Sequence, residues 1–157
     1  VMAEEFLHLG YDLVSGGTDT HVLLIDLTNK GINGKHAENI LGQAGIALNK
    51  NMVPFDQRSP FVTSGIRVGT PALTTRGMGE TEMRQVVQWI DKAIRNPEND
   101  ECLNRVRSDV EALCLNFPIY EHCEPIHFLL DTLLLIVCCL NLEYPKSLWF
   151  YFGFLRL

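Results

Sequence analysis

Residues 59–77 read SPFVTSGIRVGTPALTTRG, and the interpretation of this stretch decides how the rest of the chain is arranged. Its centre carries good strand formers, yet Arg67 stands between Gly65 and Gly69, and a second arginine, Arg76, follows in TTRG. An exposed arginine on an ordinary strand needs no glycine on either side. The spacing predicts that something comes close to this backbone and uses the room that two missing side chains leave.

Working outward, the segment upstream reads as alternating short elements. Residues 1–10, VMAEEFLHLG, place Met2, Phe6, Leu7 and Leu9 around Glu4 and Glu5, an amphipathic helix stopped at Gly10. SGGTDTH then turns the chain into HVLLIDL, residues 21–27, whose branched residues predict a buried strand. After the loop TNKGING, the pattern His36, Ala37, Ile40, Leu41 predicts a helix ending near Gly45, and IALNKN predicts a second strand. The loop MVPFDQRSPF leads to the third, around SGIRVGTPAL.

Downstream, residues 79–95 place Met83, Val86, Val87, Ile90 and Ile94 on one helical face, with Glu80 and Glu82 in the first turn where the helix dipole favours them. Pro97 ends that helix, and residues 101–115 repeat the pattern through Leu103, Val106, Val110, Leu113 and Cys114 up to NFP. Strands that come first and helices that follow, without strict alternation, give an α+β fold: a short sheet covered by helices on one face.

The totals bound the function. A chain of 157 residues, 46% of them apolar, can bury a core of its own. With a net charge of -6 and scattered basic residues, nucleic acid is excluded as the main partner, whereas one arginine is enough for a small anion. The five cysteines have no CxxC spacing, which reads as reduced thiols in an intracellular protein. The best set of zinc ligands, His122, Cys123, His127 and Cys138, lacks the paired spacing of a metal site, so no metal is expected. The chain opens on Val1, with no initiator methionine and no secretory leader, and reads as a cut piece.

Arg67 is the sharpest chemical candidate, because a guanidinium offers a rigid fork of donors that meets a carboxylate in two parallel hydrogen bonds. A structural ion pair on a strand is the competing reading. Asn51, in LNKNMVPFD, can donate to and accept from the edge of a heterocycle, with Pro54 stiffening the loop; a turn-forming asparagine is the alternative. SGGTDTH could hold an anion on its amides, though a tight turn explains it equally, with Asp19 as turn former and His21 as hydrogen-bonded structure. Arg76 reads as positional. No Ser/His/Asp order, HExxH, P-loop or GxGxxG occurs.

The combination LVSGGTDTH, NKNMVPFDQRSPFVTSGIRVGTPALTTRG and the trailing FPIY resembles the C-terminal portion of serine hydroxymethyltransferase, also called glycine hydroxymethyltransferase. The resemblance covers residues 1–120 and implies the small C-terminal domain of an aspartate-aminotransferase-like, fold type I, pyridoxal-phosphate-dependent transferase. Such enzymes interconvert serine and glycine, passing a one-carbon unit to tetrahydrofolate. By position in the motif, Arg67 corresponds to the arginine that holds the amino-acid carboxylate, and Asn51 to the asparagine that contacts the pterin. The glycines beside Arg67 would then make space for an amino acid joined to its cofactor. Homodimers or homotetramers in the cytoplasm or an organelle are implied for the full-length family.

The resemblance also implies what is missing. The family's cofactor lysine lies in an upstream threonine- and histidine-rich segment, and Lys30, Lys35, Lys50 and Lys92 have other surroundings, so no catalytic or cofactor-binding residue is assigned and the chain alone is expected to be inactive. Thr20 stands where the family has asparagine in GGTDNH. Residues 121–157 do not resemble the family and form an apolar tail. Its longest uninterrupted apolar run, Leu133 to Leu140, is far short of the ~20 residues of a spanning helix. Two other readings stay open: a noncatalytic folate- or carboxylate-binding module, membrane-associated through the tail, and a gene-model product without function.

Overall fold

The computed structural model describes residues 1–119. The apolar tail, the candidate zinc residues and Tyr120 lie outside them. Five helices and four strands follow in the order α1 (Met2–His8), β1 (Asp12–Leu13), β2 (Val22–Asp26), α2 (Gly34–Gln43), β3 (Asn49–Asn51), β4 (Gly65–Gly69), α3 (Pro71–Thr75), α4 (Glu80–Arg95) and α5 (Asp100–Asn116). The strands form one antiparallel sheet in the order β1-β2-β4-β3. This is the expected α+β architecture.

The strand period of two divides the sheet into two unlike faces. Leu13, Leu23, Ile25, Ile66 and Val68 join a single core with Phe6 of α1, Ile40 and Leu41 of α2, Val87 and Ile90 of α4, and Leu103 and Val106 of α5. Each fully buried aliphatic side chain of this kind contributes about 1.5–3 kcal/mol relative to exposure. The alternate positions, Val22, Leu24, Asp26, Asn49, Asn51 and Arg67, are half-buried or exposed.

Local chemistry sets the helix ends. Asn33 and Asn99 accept through Oδ1 from the amides of His36 (2.8 Å) and Cys102 (3.0 Å), capping α2 and α5. Glu82 reaches back to the Gly79 amide at 2.7 Å at the start of α4. Helices α1, α2 and α3 all stop with a glycine in the left-handed region, Gly10, Gly45 and Gly77. In each case the next amide bonds five residues back: Tyr11 to Phe6, Ile46 to Leu41 and Met78 to Leu73.

Four expectations are corrected. The second strand begins at Asn49, not Ile46, because the Ile46 amide is consumed in closing α2. The third strand ends at Gly69, and its expected continuation TPAL enters α3 with Pro71 at the first turn, where the lost N–H costs nothing. The two-residue strand β1, too short to carry a pattern, extends the sheet beyond the three strands read from sequence. His36, placed in the apolar pattern of α2, is exposed.

Candidate functional site

The face of the sheet turned away from the described helices holds both residues singled out by sequence. Arg67 is the middle residue of β4, paired across to Leu24 on β2 and Asn49 on β3. Its neighbours Ile66 and Val68 point into the core, so the arginine projects from the opposite face and is exposed. Nη2 donates to Asn49 Oδ1 at 3.4 Å, the long end of the hydrogen-bond range. Among the described residues no carboxylate lies within ion-pair distance of Arg67, so the competing reading of a structural salt bridge finds no partner there.

Asn51 ends β3, opposite Gly65. It therefore shares the face of Arg67 as its diagonal neighbour, a spacing that long side chains or one ligand can span. Its Nδ2 donates to the Met52 carbonyl at 2.8 Å. Asn49, which sequence reasoning passed over, stands on the same face. The signal was present in NKN, since two asparagines two apart on a strand point the same way. Between them Lys50 points to the other side, where Nζ pairs with Glu38 of α2 at 3.2 Å.

The two glycines beside Arg67 differ in what stands against them. A Cβ at Gly65 would lie 2.6 Å from the Ile25 carbonyl oxygen, 2.7 Å from Val53 Cγ1 and 3.2 Å from the Asn51 carbonyl oxygen. The space is filled by the chain's own strands and by Val53. Gly69 has only ordinary contacts, with the His21 carbonyl oxygen and Pro71 Cδ at 3.6 and 3.7 Å. Gly34, at the start of α2, is the other crowded position: a Cβ there would overlap Thr63 Oγ1 and the Gly65 carbonyl. Helix α2 consequently sits down on the approach to β4, with Gly34 and Lys35 amides donating to Thr63 and Val62 carbonyls at 3.1 and 2.9 Å.

The loop from β3 to β4 is organised by Asp56, which the sequence reading did not single out. Oδ1 accepts from Ser64 Oγ (2.6 Å) and the Arg58 amide (2.9 Å), and Oδ2 from the amides of Ser64 (2.8 Å) and Val53 (3.4 Å). These bonds, the Ser64 hydroxyl foremost and the Arg58 amide next, push the carboxyl down to about 2. Within the loop the Asp56 amide closes a turn onto the Val53 carbonyl at 3.1 Å, with Pro54 second and Phe55 third. Phe55 has φ 60° and is 95% exposed, so neither packing nor glycine's freedom explains its left-handed backbone.

Arg76 and the turn SGGTDTH are held by hydrogen bonds within the domain, whereas the His21 imidazole is not. Arg76 donates from Nε to the Phe117 carbonyl (2.8 Å) and from Nη2 to that of Cys114 (3.0 Å), tying down the end of α5. In SGGTDTH the Thr18 hydroxyl donates to the Val22 carbonyl at 2.7 Å and accepts from the Thr20 amide at 3.1 Å, so the turn closes on itself. His21 and Asp19 are exposed. The His21 carbonyl accepts from the Thr70 amide at 3.1 Å, while its imidazole makes no hydrogen bond among the described residues.

The described lysines do not fit a covalent cofactor site. Lys30 Nζ donates to the Leu9 carbonyl at 2.9 Å and lies 4.2 Å above the Tyr11 ring, Lys50 is paired with Glu38, and Lys35 and Lys92 are exposed on helices. Among the described residues no three His, Cys, Asp or Glu side chains gather as a metal site, and no helix is long and apolar enough to cross a membrane.

The family model for serine hydroxymethyltransferase matches residues 1–90. That span contains the whole sheet, the loop organised by Asp56 and the face bearing Arg67, Asn49 and Asn51. The α+β fold is that of the family's small C-terminal domain, and the matched span covers more than half of the 157 residues. The chain thus belongs to the serine hydroxymethyltransferase family, pyridoxal-phosphate-dependent transferases of one-carbon metabolism.

Proposed function

We propose that residues 1–120 are the substrate-holding small domain of an enzyme that interconverts serine and glycine, with Arg67 binding the amino-acid carboxylate and Asn51 the pterin of tetrahydrofolate. The observation that carries this reading is the open fork of Arg67: an exposed guanidinium flanked by Leu24 and Asn49, on the same face as Asn51. A guanidinium so placed offers two parallel donors to a carboxylate and fixes its orientation as well as its position. The pyridoxal phosphate is held by another segment, since the described lysines are engaged elsewhere or exposed, and the chain by itself turns over no serine. The partners are serine, glycine and tetrahydrofolate, within the homo-oligomer of the complete enzyme in the cytoplasm or an organelle.

The test joins this chain to the cofactor-bearing domain of a serine hydroxymethyltransferase and measures serine cleavage with tetrahydrofolate present. Arg67→Ala removes hydrogen bonds to a charged group, a loss of about 1.5–3 kcal/mol, and the serine KM rises roughly 10- to 100-fold. Arg67→Lys keeps the charge but not the fork and recovers only part of the loss. An unchanged serine KM in Arg67→Ala, or serine turnover by the isolated chain, overturns the reading.

A further inference from the structure

The hydrogen bonds around Asn51 form a continuous path to Asp56. Asn51 Nδ2 donates to the carbonyl of Met52 at 2.8 Å, and the amide of the same peptide unit, Val53 N–H, donates to Asp56 Oδ2 at 3.4 Å, the long end of the range. A peptide unit is a rigid plane, so fixing its N–H at one edge fixes its C=O at the other. A carbonyl can only accept, so the Asn51 amide must turn its NH2 toward Met52 and its Oδ1 away. Among the described residues that Oδ1 accepts no hydrogen bond. Asp56 in turn is anchored by two bonds to Ser64, the residue before β4, so the path begins on the strand that carries Arg67.

We infer that Asp56 is a positioning residue for the folate side of the site: through the Met52–Val53 peptide it holds the Asn51 amide with its oxygen outward, as an acceptor for a donor on the heterocycle. The inference rests on the proposed role of Asn51. It separates the two substrates, because Arg67 lies mid-strand, held by pairing on both sides, whereas Asn51 is the last paired residue of β3. The carboxylate is ionised throughout the neutral range, held there chiefly by the Ser64 hydroxyl, and so remains an acceptor under any working condition. Loop residues at Phe55 and Thr63 hold left-handed backbone, φ 60° and 58°, which an unanchored loop would relax.

The experiment uses the full chain joined to the cofactor-bearing domain, with KM values for tetrahydrofolate and for serine. In Asp56→Asn one acceptor oxygen replaces two, so the side chain cannot serve the Val53 amide on one side and the Arg58 amide on the other together. The tetrahydrofolate KM is expected to rise about tenfold, the scale of one lost hydrogen bond, with the serine KM within about twofold of wild type. Ser64→Ala, which removes one anchor and keeps the carboxylate, gives a smaller rise and serves if Asp56→Asn folds poorly. In an Asn51→Ala background Asp56→Asn adds nothing, since it acts through that side chain. A tetrahydrofolate KM raised by Asn51→Ala but not by Asp56→Asn or Ser64→Ala overturns the inference alone. Equal rises for both substrates, or additive effects in the double variant, also overturn it by showing a general structural role. An Asn51→Ala chain with unchanged tetrahydrofolate KM overturns the folate role of Asn51 and the inference with it.

Discussion

Replacing Gly65 with alanine tests the reading of the glycines around Arg67 most directly. The added methyl would meet two backbone carbonyl oxygens, of Ile25 at 2.6 Å and Asn51 at 3.2 Å, and Val53 Cγ1 at 2.7 Å. Neither carbonyl can swing aside: Ile25 belongs to β2 and Asn51 to β3, the two strands that flank β4. The clash is relieved only by moving strands, and overpacking of that kind costs about 1–3 kcal/mol, with the upper half expected here. At roughly 4 °C per kcal/mol for a domain of this size, the melting midpoint falls by about 10 °C. Gly69→Ala is the matched control. Its nearest contacts, at 3.6 and 3.7 Å, are ordinary, and the lower entropy of the unfolded chain makes it neutral or stabilising by up to about 0.5 kcal/mol. Urea and thermal unfolding followed by far-ultraviolet circular dichroism measure both. A Gly65→Ala chain within about 0.5 kcal/mol of wild type, or a Gly69→Ala chain equally destabilised, refutes the assignment of crowding to Gly65 and not Gly69.

Two further outcomes concern stability away from the site. Arg76→Ala strips two hydrogen bonds from the last carbonyls of α5 and costs about 1–2 kcal/mol, with amide exchange accelerating first near Cys114 and Phe117; uniform exchange across the domain would contradict a local clasp. Asp56 carries an acid sensitivity whose sign follows from its depressed pKa. Its contribution is complete above the unfolded value of about 3.9 and is lost as pH falls through about 2, so the urea midpoint declines between roughly pH 4 and 2. Ser64→Ala removes the largest cause of the depression and flattens that decline; an unaltered slope would show that other carboxylates govern it.

Local chemistry was legible in the sequence wherever it was complete within a few residues. Gly10 and Gly45 could be read as helix stops because the closing bonds span only five residues, and HVLLIDL could be read as a strand from its branched side chains, although only its alternate residues are buried. The α+β class followed from the order of such segments. Several failures involve partners distant in sequence, while the misplaced start of β3 and the overlooked Asp56 rest on bonds within eight residues. Nothing near Arg76 announces the end of α5 about forty residues on, and nothing near Gly65 announces Ile25. The end of β4 is likewise set from afar: Thr70 still bonds to the His21 carbonyl, one step past the last ladder pair, before the chain turns into α3 at Pro71. For the site, Arg67 and Asn51 were found as residue types in a motif, but their common face required the register, and Asp56 looked like any loop aspartate until its four donors were assembled.

Gly65 and Asp56 bear on the same peptide from opposite sides. The absence of a Cβ at Gly65 lets Val53 pack down onto β4, where it is only 9% exposed in spite of lying in a loop. The Asp56 carboxylate then takes the Val53 amide, and the carbonyl across that peptide takes the Asn51 side chain. A substitution at Gly65 that lifts Val53 would therefore disturb the Asn51 amide as well as the sheet. Stability and folate affinity should fall together in Gly65→Ala, whereas Arg76→Ala, whose bonds reach only α5, should lower stability and leave the folate KM where it was. Gly65 thus leaves room for Val53, whose peptide adjoins the Asn51 side chain.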